Sequence, residues 1–257
     1  MLVRTLLYNV LFYVTFAVMA VVLAPTMLLP LRHIWFVPKI WAGFSMWLHR
    51  TICGIGEDIQ GLGNIPDGGL LVACKHQSTW EALRLVTLFP KPAFVFKRQL
   101  RWAPLFGWYL IKFGQIPVNR GRRSKALQDM AAIAAERVDQ GYQVIIFPEG
   151  TRRPPLAQPN YKYGVTYLYD KLNATCLPIA LNSGLFWPRR TFAHRQGVIT
   201  MKILPPIPPG HDADTFSAEL QDAIESAVAD LNAEAIRQYP AVAAAVDKEQ
   251  TAGLSVS

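Results

Sequence analysis

Residues 5–31 of this chain, T-L-L-Y-N-V-L-F-Y-V-T-F-A-V-M-A-V-V-L-A-P-T-M-L-L-P-L, carry no formal charge. As a helix this run would span roughly 40 Å, more than the ~30 Å hydrocarbon core of a bilayer. It is too long for the apolar core of a signal peptide, and no clear A-x-A cleavage site stands behind it. Pro25 and Pro30 are placed to break or kink it. A second amphipathic stretch follows at 34–49, and its Trp35, Trp41 and Trp47 suit the headgroup level. Two membrane arrangements are open. One is a single crossing at about 6–29; the other is a helical hairpin in one leaflet, with 34–49 as its second arm. Arg4 precedes the run and Arg32 and Lys39 follow it, so charge asymmetry does not choose between them. The alternative of a buried helix in a soluble domain is disfavoured by length and lack of charge. The expected division is an anchor at 1–53, a globular domain at 54–240, and an Ala-rich, then polar, disordered tail at 241–257.

The chain has 257 residues, enough for one substantial core. Hydrophobic residues make up 51% against 17% charged, which excludes a disordered chain. The formal net charge is +8, yet between Ala82 and Gln128 there are ten Lys or Arg and no Asp or Glu. Such a field attracts nucleic acid, anionic lipid headgroups or phosphorylated small substrates. The apolar N-terminus favours lipid, and no recognition motif supports a nucleic-acid partner. Cys53, Cys74 and Cys176 form no CxxC pair, and an odd count argues against a disulfide framework, fitting a reducing compartment.

Beyond a Gly-rich entry at 54–68, which does not supply G-x-G-x-x-G between strand and helix, the pattern alternates. Strands are expected at 69–74, 93–96, 143–147, 175–181 and 198–204. Helices are expected at 79–88, 101–112, 124–139, 161–171 and 214–237. Ser124 is a candidate cap for the third helix, and Gly141 its stop. The fold class is α/β: a mixed, mostly parallel sheet flanked by helices, with an N-terminal hydrophobic helical anchor.

Three stretches carry the chemistry: C-K-H-Q-S-T-W-E at 74–81, G-Q-I-P-V-N-R at 114–120 and F-P-E-G-T-R at 147–152. His76 follows a strand end, where α/β folds place reacting groups, and can accept a hydroxyl proton. It is the only histidine between positions 50 and 193, so no zinc site of clustered histidines is expected around it. Glu81 admits two readings. It stands one turn away as a partner carboxylate, and it also completes S-x-x-E, a capping box with Ser78 at the cap. Cys74 reads as a buried strand-end thiol rather than a nucleophile, and no G-x-S-x-G elbow is present. Lys97, Arg120 and Arg152 end short elements leaving the sheet. Gly150 permits a tight turn whose N–H groups face an anion. Glu149 is placed to orient Arg152 or to meet a substrate hydroxyl. Arg122, Arg123 and Arg153 are explained by a solvated basic face.

These motifs together resemble the 1-acylglycerol-3-phosphate O-acyltransferase family of glycerolipid acyltransferases. K-H-Q-S-T-W-E is similar to its Asn-His-x-Ser-x-x-Asp, with Lys75 for the asparagine and Glu81 for the aspartate. K-R-Q-L-R-W-A-P-L-F-G at 97–107 resembles K-x-E-L-x-x-x-P-x-x-G, with Gln99 for the glutamate. G-Q-I-P-V-N-R and F-P-E-G-T-R match the second and third motifs, Y-K-Y-G at 161–164 resembles F-K-x-G, and C-L-P-I-A at 176–180 the proline-bearing fourth. The match covers roughly 54–205.

The resemblance implies a transfer of a fatty acyl group from acyl-CoA or acyl-carrier protein to 1-acyl-glycerol-3-phosphate, giving phosphatidic acid. It implies His76 as base and Glu81 as its partner. Arg120, Glu149, Gly150, Thr151 and Arg152 would bind the acceptor phosphate, with Ser78 and Lys97 in support. No metal and no cofactor beyond the thioester donor is required. The partners are membrane lipid, the lysolipid and the donor. The expected location is the cytoplasmic face of a cell membrane, a bacterial inner membrane, because acyl thioesters are cytosolic. Lys75 and Glu81 depart from the pattern, so another lysolipid (a lyso-ornithine lipid or lysophospholipid) or glycerol-3-phosphate is the alternative acceptor. Two rivals differ in kind: a non-catalytic binder of anionic lipid, and a thioesterase using water.

Overall fold

A computed structural model describes residues 2–119, 123–189 and 191–254. The domain is built on one seven-stranded sheet. Its strands are β1 (Ile55–Gln60), β2 (Leu70–Cys74), β3 (Pro92–Lys97), β4 (Ile116–Val118), β5 (Gln143–Ile146), β6 (Cys176–Leu181) and β7 (Gly197–Ile203). They lie in the order β1-β7-β6-β2-β5-β3-β4. Every pairing is parallel except β6 with β7.

The central strands are apolar throughout because both faces are covered. Along β2, Leu70, Val72 and Cys74 enter one core layer, and Leu71 and Ala73 enter the other. β6 divides in the same way, with Leu177, Ile179 and Leu181 opposed to Cys176 and Ala180. The helices α3 (Trp80–Leu88) on the first face, and α5 (Arg123–Asp139) and α6 (Tyr163–Leu172) on the second, close the layers. Helix α8 (Ala213–Gln238) lays Phe216, Leu220, Ile224, Val228 and Leu231 on the second layer, a 3.6-residue stripe read from the sequence. The expected α/β class and mixed, mostly parallel sheet are observed.

Several boundaries differ, each for a local reason. The helix expected at 101–112 splits into a 3₁₀ segment, Arg98–Trp102, and α4, Phe106–Lys112. Pro104 interrupts it, and Leu105 adopts φ +60°. Gly107 of the same motif packs so closely that a Cβ there would lie 2.0 Å from the Arg101 carbonyl oxygen. Helix α5 starts at Arg123, so Ser124 stands inside it rather than at the cap; Gly141 closes it with φ +78°. The strands β1 and β4 and a short α7 (Ser183–Phe186) complete the topology. The tail expected to fray after Pro240 forms α9 (Pro240–Leu254), whose Val242 and Val246 are buried in the first layer. An alternating Ala/Val stretch after a proline carries little sequence signal, so contact with the core decides it.

The N-terminal run also ends early. Helix α1 covers Leu2–Val22, about 32 Å at helical rise, and passes through a 3₁₀ segment at Ala24–Leu28. It is long and apolar enough to cross a membrane, with 17% of its most apolar window buried. Helix α2 is Phe36–Leu48, followed by a π turn at His49–Cys53. Phe12 and Phe16 of α1 each pack on Trp41 of α2, with ring centroids 5.1 Å apart. Of the three tryptophans expected at headgroup level, Trp47 is exposed. Trp41 is used in this helix pairing, and Trp35 packs against Phe113 and Tyr142.

Candidate active site

Because β2, β3, β4, β5 and β6 run parallel, their C-terminal ends share one edge. His76 emerges there after β2, the turn 147–152 after β5, Lys97 at the end of β3 and Ser183 after β6. Chain segments a hundred residues apart meet by sheet geometry alone.

Glu81 is fully buried at the start of α3 and accepts five hydrogen bonds. Its Oε1 accepts from His76 Nδ1 at 2.8 Å and from the backbone N–H of Gln77 and Ser78, each at 2.7 Å. Its Oε2 accepts from Ser78 Oγ at 3.1 Å and Ser183 Oγ at 2.8 Å. Ser78 Oγ in turn accepts from the Trp80 N–H at 2.9 Å. The capping role and the partner role of Glu81 are thus compatible: one carboxylate closes the helix start and holds the imidazole. Burial pushes the Glu81 carboxyl up, but the hydrogen bond and charge of His76, with the Ser78 N–H, outweigh it and leave its pKa lowered. An ionised carboxylate only accepts, so Nδ1 carries the proton and Nε2 keeps its lone pair. Phe147 stacks flat on the imidazole, centroids 3.8 Å apart and planes 15° from parallel. The His76 side chain is 18% exposed, open to a reactant while its partner is dry.

The turn after β5 is tied to this group. The Arg153 N–H donates to the His76 carbonyl at 2.9 Å. Gly150 holds φ +65°, a left-handed conformation that glycine adopts without strain. Thr151 and Arg152 are exposed on the same rim, and Arg152 Nη1 donates to Thr79 Oγ1 at 3.0 Å. The Arg152 carbonyl accepts from Arg189 Nη1.

Glu149 corrects the sequence reading. It is 3% exposed and faces inward, with Oε2 3.3 Å from Lys75 Nζ and Oε1 3.8 Å from Arg153 Nε. Its carboxylate is engaged beneath the turn, where Oε1 also accepts from the Asn160 N–H at 3.3 Å. The half-buried Arg153, assigned above to a solvated face, is its neighbour instead. Lys75 Nζ also lies 2.7 Å from Glu225 Oε1 of α8, which accepts from Tyr161 Oη at 2.9 Å. A buried lysine beside the base therefore bridges two carboxylates and joins α8 to the β5 turn. Lys97 is exposed at the end of β3. Arg120 lies outside the described residues.

Phe147 was readable only as part of F-P-E-G-T-R, without a role. Ser183 and Glu225 had no sequence signal, since each reaches the site only through the tertiary fold.

The comparisons bear on the same region. Residues 58–182 match the family model described as Acyltransferase. The 1-acyl-sn-glycerol-3-phosphate acyltransferase of Pseudomonas aeruginosa is 36% identical over 199 residues, 77% of this chain and 77% of that protein. The human 1-acyl-sn-glycerol-3-phosphate acyltransferase alpha is 28% identical over 167 residues, 63% of this chain and 59% of its own. The crystal structure of the 1-acyl-sn-glycerophosphate (LPA) acyltransferase PlsC from Thermotoga maritima superposes with a TM-score of 0.75. It is 22% identical, and the match spans 90% of this chain and 97% of that one, which establishes a common fold. With a third of its residues shared over three quarters of a relative's length, and the same sheet beneath them, the chain belongs to the glycerolipid acyltransferase family that contains the 1-acyl-sn-glycerol-3-phosphate acyltransferases.

Proposed function

We propose that this enzyme moves a fatty acyl group from acyl-CoA or acyl-carrier protein to the sn-2 hydroxyl of 1-acyl-sn-glycerol-3-phosphate, forming phosphatidic acid. The observation that carries the reading is the 2.8 Å contact between His76 Nδ1 and buried Glu81, at the sheet edge that also carries the 147–152 turn. His76 Nε2 takes the acceptor hydroxyl proton as that oxygen attacks the thioester carbonyl. The C–O bond forms, the C–S bond breaks, and the thiolate leaves with the proton returned from His76. Glu81 stabilises the imidazolium and fixes the tautomer, and Phe147 fixes the ring plane. Arg152 and Arg120, with Gly150 shaping the turn that presents Thr151, hold the acceptor phosphate. Lys97 or a backbone N–H stabilises the oxyanion.

The unit boundaries 1–53 and 54–240 serve this chemistry as membrane seat and catalytic body. Leu6, Val10, Val14 and Val21 of α1, Phe36, Ile40 and Trp47 of α2, Trp102 before α4 and Trp108 within it are exposed. Tyr109 Oη donates to the Ala20 carbonyl at 3.1 Å, joining α4 to α1. The packing of α1 on α2 supports the hairpin arrangement, with the body on the cytoplasmic side where acyl thioesters are made. A surface-bound site meets a lysolipid already in the bilayer.

The test is turnover by the purified protein with labelled acyl-CoA and acyl-carrier protein across a panel of acceptors. The panel includes a lyso-ornithine lipid, a lysophospholipid and glycerol-3-phosphate. His76→Ala is expected to lose about 10²–10⁴-fold in kcat with its fold intact. Full turnover by that variant rejects the mechanism, and thioester loss at full rate without any acceptor identifies a thioesterase.

A further inference from the structure

Beneath α1 lies a group of side chains that acyl transfer does not use. His49 and Cys53 stand four residues apart in the π turn that ends α2. His194 reaches them from the segment before β7, 145 residues away in sequence from His49. All three are buried: His49 and His194 are 2% exposed and Cys53 0%. Nε2 of His49 and Nδ1 of His194 are 3.2 Å apart. One donor atom from each of the three residues lies within 4.8 Å of the others. Aromatic rings wall the group. Trp187 lies 4.6 Å from His49 and 4.8 Å from His194, and Tyr8 lies 4.8 Å from the His49 ring. Tyr8 is fully buried, and its hydroxyl has no hydrogen-bond partner among the described residues.

We infer that Nε2 of His49, Nδ1 of His194 and Sγ of Cys53 form a three-ligand zinc site beside the Tyr8 ring. Two imidazoles and a thiolate are the donor set that a borderline-soft, tetrahedral ion selects. Around tetrahedral zinc the nitrogens would be about 3.4 Å apart and each nitrogen about 3.6 Å from sulfur. The observed 3.2 Å between nitrogens is close to that edge, and the longest separation closes by a side-chain movement of about 1 Å.

A histidine pair hydrogen-bonded in an aromatic box explains the 3.2 Å contact, but not the thiol that converges on the same point. A metal accounts for both. Zinc would displace the Cys53 thiol proton on binding. The site would pin α1, the end of α2 and the approach to β7 to one point, fixing the membrane-facing helices to the catalytic body. Histidines this far apart in sequence show no ligand spacing along the chain.

The test is elemental analysis of the full chain, purified in detergent, stripped with a chelator and reloaded with zinc alone. About one zinc per chain is expected, falling at least tenfold in Cys53→Ser and in His194→Gln. Cobalt loading should give a thiolate-to-cobalt band in the near ultraviolet for the wild type and none for Cys53→Ser. Zinc content equal in all three proteins, or a wild type that takes up neither zinc nor cobalt, overturns the site. Should the variants not fold, the wild-type cobalt spectrum alone decides.

Discussion

At the scale of single residues, Glu81 and Lys75 are where this chain departs from the first motif of its family, and the structure gives each a physical account. The longer side chain of glutamate reaches Nδ1 at 2.8 Å because the carboxylate is held by two backbone N–H groups and two serines. Glu81→Gln keeps the shape and removes the charge, so kcat should fall by about 10²–10⁴-fold while KM for the thioester changes little; steady-state kinetics check this. The same carboxylate sets an acid limit. Its folded pKa is lowered, so its contribution to stability is complete above the ordinary carboxylate range and is lost as pH falls through the folded value. Thermal unfolding followed from pH 6 downward should show a loss below about pH 4 that Glu81→Gln does not show. Lys75 is 2% exposed between Glu149 and Glu225. Lys75→Met removes the cation shared by Glu149 and Glu225 and should cost about 3–5 kcal/mol in denaturant unfolding, with Glu149→Gln in the same chain recovering part of it.

At the scale of elements, parallel strands do the assembling. A parallel pair delivers both chain ends to the same edge, so the ends of β2, β5 and β6 bring His76, the 147–152 turn and Ser183 together. The helices supply the second layer of support. Glu225 on α8 anchors Lys75, and α9 extends the first core layer with Val242 and Val246. Ending the chain after Tyr239 should therefore lower stability by about 3 kcal/mol, from two buried valines at about 1.5 kcal/mol each, measured by urea unfolding. A fully frayed tail would give no change.

At the scale of the whole molecule, apolar side chains from α1, α2 and the segment 98–111 reach solvent. Trp102 and Trp108 belong to the catalytic body yet are 79% and 63% exposed. If this segment joins the helices at the lipid surface, Trp102→Gln with Trp108→Gln should weaken partitioning onto anionic vesicles several-fold without lowering Tm. The Lys and Arg residues of 82–128 should make that partitioning fall with added salt. Binding unchanged in the double variant would confine the membrane contact to the N-terminal helices.

Much of this was legible before any coordinates. A charge-free run, alternating strand and helix patterns, and a histidine five residues before a carboxylate are local signals, because side-chain period and motif spacing act within one element. The pairing of His76 with Glu81 is of that kind, being one turn of chain. What only the tertiary fold decided is everything that depends on sheet order: Ser183 on Glu81, Glu149 turned inward to Lys75, Glu225 arriving from α8, and His194 beside His49. These contacts join residues from 74 to 150 positions apart, and the strand order that brings them together is set by the burial of both sheet faces, which no short stretch of sequence records.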